Sequence, residues 1–150
     1  MNMSQKEKQT LLLKDLSMRL PHYVKIKFYS MEYPYGSGPV ILTVQLFKDR
    51  WKNIHDVKPY LRTLSSMTKK EALKLAELRG FKNILSVKVN QYHIVVEVDD
   101  GVCSSERHII WFNEIVSSIG ILDWLLKNHF DFRGLIELGL ALPAPEGMYK

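Results

Sequence analysis

The sequence predicts an α+β protein, a single domain over residues 1–150, with an antiparallel sheet of about four to five strands flanked by three to four helices. S/T-x-x-E capping boxes mark helix starts, and alternation of apolar with polar residues marks half-buried strands. Helical segments bracket two groups of strands, and this order favours an antiparallel sheet over repeated βαβ units. A chain of 150 residues can bury a core without a metal or a disulfide.

Capping residues and the spacing of leucines predict the helices. The box formed by Ser4 and Glu7 predicts a first helix that ends at Pro21, because proline cannot donate the next backbone hydrogen bond. A second box, Thr68 with Glu71, predicts a helix that runs to about residue 79 and is followed by a C′ glycine. Two more helices are predicted, over residues 119–129 and, with Asp131 as its cap, over residues 131–139.

Period-two alternation predicts the strands. Val24, Ile26 and Phe28 predict a first strand, and residues 40–47 are predicted to form its hairpin partner. Residues 49–67 are predicted to be a loop packed on the core, because Pro59 argues against regular structure there. Further strands are predicted over residues 84–89, 92–98 and 107–112, and residues 141–150 are predicted to form an extended, irregular C-terminal tail.

The sequence contains no recognisable motif for catalysis or metal binding. The one cysteine, Cys103, can form neither an internal disulfide nor a CxxC pair, and we expect it to be at least half-buried. None of the five histidines lies two or four residues from another, the spacings that place two ligands on one face. Phosphate-loop, nucleophile-elbow and zincin motifs are also missing. We therefore predict a non-enzymatic protein with no cofactor and no metal.

Charge is distributed unevenly along the chain. Residues 1–90 contain 17 Lys and Arg against 7 Asp and Glu, whereas residues 91–150 contain 4 against 9. The resulting net charges of +10 and −5 predict a basic and an acidic pole, which would steer the protein toward a charged partner. As an alternative, opposite poles pair between copies of the chain in a homo-oligomer.

Two basic segments are predicted to bind a partner. The outward side of the first strand carries alternating aromatic and basic residues: Tyr23, Lys25, Lys27 and Tyr29. Such a face can stack bases and contact phosphates, but protein-contact surfaces and ordinary exposed strands share the pattern. The helix after Thr68 adds three lysines to the basic pole, a pattern also typical of a solvated helix face: Lys69, Lys70 and Lys74.

Four segments of the sequence are distinctive: residues 12–21 (LLKDLSMRLP), residues 56–68 (DVKPYLRTLSSMT), residues 123–136, which end in NHFDFRGLI, and residues 144–149 (APEGMY). Together they resemble a family of small uncharacterised proteins from phages and mobile elements of gut bacteria. Lys69 and Lys70 depart from the family, where acidic residues are expected. The resemblance implies a phage or mobile-element setting, and anti-CRISPR proteins are a class of similar size that also lacks catalytic motifs.

These observations lead to a functional hypothesis with two alternatives. We expect a non-enzymatic binding protein that inhibits a host nucleic-acid-handling defence complex, such as a CRISPR nuclease; its partner is a host protein effector or a protein–nucleic-acid complex. The alternatives are direct nucleic-acid binding through the first strand and a small enzyme whose site forms only in the fold. No apolar run approaches the ~18 residues of a membrane span, so we expect a cytoplasmic protein without a membrane partner.

Overall fold

The computed structural model describes residues 2–150, which divide into two compact units. The terminal unit comprises residues 2–62 and 126–150, and the central unit comprises residues 63–125. The predicted α+β class is confirmed, because the described residues form four α-helices and two mostly antiparallel sheets. The strands are divided between a sheet of four and a sheet of three.

The α-helices are α1 (Gln5–Arg19), α2 (Val44–Arg50), α3 (Lys69–Leu78) and α4 (Ile119–Lys127). The strands are β1 (Lys25–Phe28), β2 (Val40–Ile41), β3 (Val57–Leu61), β4 (Ile84–Val89), β5 (His93–Asp99), β6 (Ser105–Trp111) and β7 (Leu142–Pro143). Both predicted capping boxes form at the starts of α1 and α3, where each cap side chain and each N3 glutamate exchange hydrogen bonds.

The terminal unit contains α1, α2 and a sheet with strand order β2-β1-β3-β7. β1 pairs antiparallel with β2, as the predicted hairpin requires, and also with β3, whereas β3 and β7 are parallel. Leucines of α1 pack on this sheet and on the C-terminal segment. The fully buried members of this core are Leu12, Leu16, Val24, Ile26, Leu42, Ile54, Val57, Leu61, Leu135 and Ala141.

The prediction for residues 40–47 is wrong beyond the first two residues of the segment. β2 ends at Ile41, and α2 begins at Val44 because the Thr43 side chain accepts a hydrogen bond from the backbone N–H of Leu46. A threonine cap followed by apolar residues satisfies helix and strand patterns equally over so short a segment. The hydrogen bond from Leu46 N–H to the Thr43 side chain therefore selects the helix.

The predicted loop over residues 49–67 is also wrong in part, because it contains strand β3. Pro59 lies in this strand and pairs with Ile26 of β1. β7 pairs only with Tyr60 and Leu61, so β3 has a strand on one side alone at the position of the proline. A residue without a backbone N–H is tolerated at such a position.

The predicted fourth helix over residues 131–139 is a series of turns in the structure. Asp131 does act as a cap, since its two carboxylate oxygens accept hydrogen bonds from the N–H groups of Leu135 and Ile136, each at 2.8 Å. Gly134 and Gly139 both adopt positive φ, at 72° and 71°. Gly134 breaks the segment before a regular helix can form, whereas Gly139 lies at the predicted helix end.

A buried ion pair ties α1 to the C-terminal segment. Asp15 and Arg19, one helical turn apart and both 0% exposed, are joined by an Arg19 Nε to Asp15 Oδ2 contact of 2.6 Å. Arg19 also donates to the Phe130 carbonyl oxygen at 2.8 Å, and Arg133 Nε lies 3.1 Å from Asp15 Oδ1. Arg19 of α1 and Arg133 of the C-terminal segment thus share the Asp15 carboxylate.

The C-terminal tail docks against the sheet, more firmly than the irregular tail that the sequence predicts. The hydroxyl of Tyr149 donates to the Tyr60 carbonyl oxygen at 2.7 Å and accepts from the Lys25 backbone N–H at 2.9 Å. The ring of Tyr149 stacks on His129 with a centroid separation of 3.7 Å. Burial raises the pKa of Tyr149 to about 12, so its hydroxyl remains protonated at neutral pH.

His129 beneath Tyr149 makes the terminal unit sensitive to acid. Burial, together with positive charges led by Arg19, lowers the pKa of His129 from its usual 6.5 to about 4. Between those two values the unfolded chain binds a proton that the folded chain does not, so stability falls as pH falls. We expect the free energy of unfolding to drop by about 1 kcal/mol per pH unit between about pH 6 and pH 5.

Denaturant unfolding at several pH values tests this expectation. His129→Asn should remove most of the slope, because asparagine tolerates the positive φ of 61° found at this position and does not titrate. His55→Asn, at a side chain that is 55% exposed, is the control for the loss of a histidine. An unchanged slope in His129→Asn would contradict the assignment.

The central unit contains α3 and the antiparallel sheet β4-β5-β6. α3 packs against β4, and Gly80, with φ of 94°, follows the helix as predicted. Alternate residues of β5 are buried, namely Ile94, Val96 and Val98. Cys103 contradicts the expectation that it is at least half-buried, because it lies exposed in the loop between β5 and β6.

Candidate interaction surface

One side of the central sheet is open to solvent, and we call it the outer face. Residues that lie opposite one another in an antiparallel sheet point to the same side, so the cross-strand pairs define this face. The pairs between β5 and β6 are His93 with Trp111, Val95 with Ile109, Glu97 with Arg107 and Asp99 with Ser105, and β4 adds Ser86 and Lys88.

Apolar and aromatic side chains occupy one end of the outer face. Trp111 is 46% exposed and Ile109 is 48% exposed, and the two follow one another on the outward side of β6. The His93 ring meets the Trp111 ring edge-on at a centroid distance of 4.7 Å, and Val95 lies opposite Ile109. This end offers a tryptophan anchor whose orientation is held by its neighbours.

The other end of the outer face is polar. The Glu97 carboxylate accepts hydrogen bonds from Ser105 Oγ at 2.7 Å and from Ser86 Oγ at 3.2 Å. These hydroxyl donors, that of Ser105 first, hold the pKa of Glu97 below its ordinary value. The carboxylate is therefore charged and fixed in position across all three strands.

The outer edge of β6 is the longest regular strand edge in the described residues. β6 has seven residues and pairs with β5 alone, without a bulge. The opposite edge, β4, is interrupted by a register shift between Ile84 and Ser86, and the edge strands of the other sheet, β2 and β7, have two residues each. Short, bulged edges resist pairing with another chain, whereas a long regular edge is a template for it.

The predicted strand site is only partly available in the structure. β1 is an inner strand, and the Lys25 ammonium donates to the Met148 carbonyl oxygen at 3.1 Å, beneath the docked tail. The Lys27 ammonium lies 5.6 Å from the ring centre of Tyr29, and Tyr23 is exposed just before the strand, at a φ of 57°. Tail docking thus removes one lysine from the predicted set of four.

The three lysines of the predicted helix site are exposed on α3, which belongs to the central unit, whereas the predicted strand site on β1 belongs to the terminal unit. They are Lys69, Lys70 and Lys74. Between them, Glu71 is engaged as the N3 residue of the capping box.

The charge halves of the sequence do not coincide with the two units. The terminal unit carries 14 Lys and Arg against 8 Asp and Glu, a net charge of +6, and the central unit carries 7 against 8. Basic residues 69–88 and half of the acidic residues lie together in the central unit, where their charges nearly cancel. The excess of positive charge therefore belongs to the terminal unit.

The described residues offer no cluster of three or more His, Cys, Asp or Glu side chains that could hold a metal ion. Within residues 2–150, no helix has both the length and the apolar character needed to cross a membrane. Comparison with protein-family models, with curated proteins and with solved structures finds no match to this chain.

Proposed function

We propose that this protein is a non-enzymatic binding protein that captures an extended segment of a partner protein at the outer edge of β6. The observation that carries the proposal is the seven-residue strand β6, which has no strand partner on its outer side within residues 2–150 and has Ile109 and Trp111 exposed on it. An added strand would gain backbone hydrogen bonds from this edge, and its apolar side chains would cover the two exposed residues.

The charge of the outer face favours a protein over a nucleic acid as the occupant. Lys88 and Arg107 are balanced there by Glu97 and Asp99. Nucleic-acid affinity depends on an excess of positive charge that neutralises phosphates, and this face has none. Tryptophan, by contrast, is enriched among the residues that dominate protein–protein binding energy.

For the partner, we propose a host nucleic-acid-handling defence complex, bound in the host cytoplasm. The resemblance of four sequence segments to phage and mobile-element proteins supports this class. The net charge of +6 on the terminal unit also supports it, because a basic body is steered toward complexes that carry nucleic acid. Direct nucleic-acid binding through the basic residues of this unit is the second candidate.

The test compares four forms of the purified protein, the wild type and three variants, as bait in a host lysate, with and without nuclease. We expect the wild-type protein to retain a nucleic-acid-handling partner after nuclease treatment. Trp111→Ala should weaken binding to that purified partner by about 30-fold, which corresponds to about 2 kcal/mol. Ile109→Lys should weaken it similarly, whereas Ile41→Lys, at an equally exposed edge position of β2, should not.

Several outcomes would contradict the proposal. Equal binding by wild type and Trp111→Ala would exclude the outer face, and recovery lost with nuclease would favour the nucleic-acid alternative. If light scattering shows a dimer that Ile109→Lys converts to a monomer, the occupant of the edge is a second copy. Failure of the expressed protein to protect an invading phage or plasmid would exclude the proposed defence target.

A further inference from the structure

We propose a second binding site, in the terminal unit, for a nucleotide or a similar phosphate ester attached to a ring. The site is a pocket of about 410 Å³, within the range of about 300–1,000 Å³ typical of small-molecule sites. It is independent of the outer face of the central sheet, because every residue that lines it belongs to residues 2–62 or 126–150.

Three segments of the chain form the walls. The lining residues of α1 are spaced three and four apart, so one face of this helix lies along the pocket. Residues 55–58, at the start of β3, and residues 138–140, in the turn before β7, form the other two walls. The polar lining residues are Gln5, Lys8, Gln9, His55 and Lys58. The remaining lining residues are Leu12, Val57, Leu138, Gly139 and Leu140.

The pocket is basic, and its two lysines are not neutralised. Lys8 and Lys58 are half-buried, and neither forms an ion pair with a carboxylate of the described residues. Asp56 lies 3.4 Å from His55, and the Glu7 carboxylate caps α1 through Ser4, so both nearby acids contact other groups. A bound phosphate would give both ammonium groups the counterion that the described residues do not supply.

The remaining lining residues specify more than an anion. Leu138 and Leu140 are half-buried and give the pocket an apolar surface, against which a ring can pack. The Gln5 and Gln9 amides can each donate and accept hydrogen bonds, as the polar edge of a base requires. Phosphate at the lysines and a ring on the apolar surface together describe a nucleotide, either free or within a nucleic-acid strand.

Calorimetric titration of the full chain tests this site with four probes: adenosine monophosphate, adenosine, inorganic phosphate and a short single-stranded oligonucleotide. We expect the monophosphate to bind at least tenfold more tightly than adenosine or phosphate alone. Lys8→Met and Lys58→Met, each of which keeps the apolar stem, should weaken binding at least tenfold. Lys14→Met, at an exposed position of α1 outside the pocket, is the control.

The four probes separate the possible sources of the ligand. Binding of the oligonucleotide alone, lost in Lys8→Met and Lys58→Met, would support the site and identify its ligand as part of a strand. Absence of binding by every probe would overturn the proposal, as would equal binding by wild type and both pocket variants. Equal affinity for phosphate and the monophosphate would overturn the role assigned to the apolar surface. Unfolding curves of each variant establish that it is folded.

Discussion

Replacing Asp15 with alanine is expected to lower the free energy of unfolding by about 3–5 kcal/mol, because the Arg19 charge would remain buried without a counterion. Arg19 is 0% exposed, its Nη1 has no hydrogen-bond partner among the described residues, and Asp15 supplies the one carboxylate in contact with it. Arg133 would lose the same partner. The loss is large because the Arg19 guanidinium stays buried, where water does not replace the missing carboxylate.

Urea denaturation of three variants measures this contribution. Asp15→Asn should be destabilised less than Asp15→Ala, because its amide oxygen still accepts a hydrogen bond from the guanidinium. Lys14→Ala, the exposed neighbour on the same helix, should change stability by no more than about 0.5 kcal/mol. A loss below about 1 kcal/mol in Asp15→Ala would show that the pair contributes as little as a surface ion pair.

Replacing Tyr149 with alanine should produce the second large effect, a loss of about 3 kcal/mol in the free energy of unfolding. The substitution removes a half-buried ring stacked on His129 and the hydroxyl that bridges Lys25 N–H and the Tyr60 carbonyl. Both backbone groups would then lack their partner from the tail. The C-terminal residues are expected to become more mobile as a result, since the side chain of Tyr149 anchors them.

Tyr149→Phe separates the hydroxyl from the ring. It should retain the stacking and cost about 1–3 kcal/mol, the penalty for unpaired backbone groups. Tyr35→Ala is the control for the loss of a tyrosine, because Tyr35 is 91% exposed. Hydrogen exchange at the Lys25 amide gives a local measurement, and protection as strong in Tyr149→Phe as in the wild type would refute the bridging role.

Local features of the fold could be predicted wherever neighbouring residues carry the information. The capping boxes at α1 and α3, the glycine after α3 and the alternation along β5 all depend on residues within a few positions of one another. The strand prediction for residues 40–47 was wrong because a threonine cap followed by an apolar run is compatible with both a strand and a helix. β3 was missed because Pro59 is acceptable only where the strand lacks a second neighbour, which is a property of the sheet.

The binding sites could be predicted less well than the elements. Lys25 has the same sequence pattern as Lys27, yet its ammonium contacts the Met148 carbonyl, 123 residues away. Trp111 and Ile109 were not predicted to be a binding site. Their alternation in the last strand of the second strand group was a usable signal for one. The pocket could not have been found, since its lining residues come from segments more than 40 positions apart.

The sequence by itself determined the helix starts, most of the strands and the absence of recognisable catalytic motifs, because these depend on short-range hydrogen bonding and side-chain periodicity. The tertiary structure alone decided which strands share a sheet, which edge stays unpaired and where the charges collect. Residues 126–150 belong to the terminal unit and contribute to its core, so this unit combines residues from the basic and the acidic half of the sequence. Burial of apolar surface selects these long-range pairings, and its energy depends on which distant segments meet.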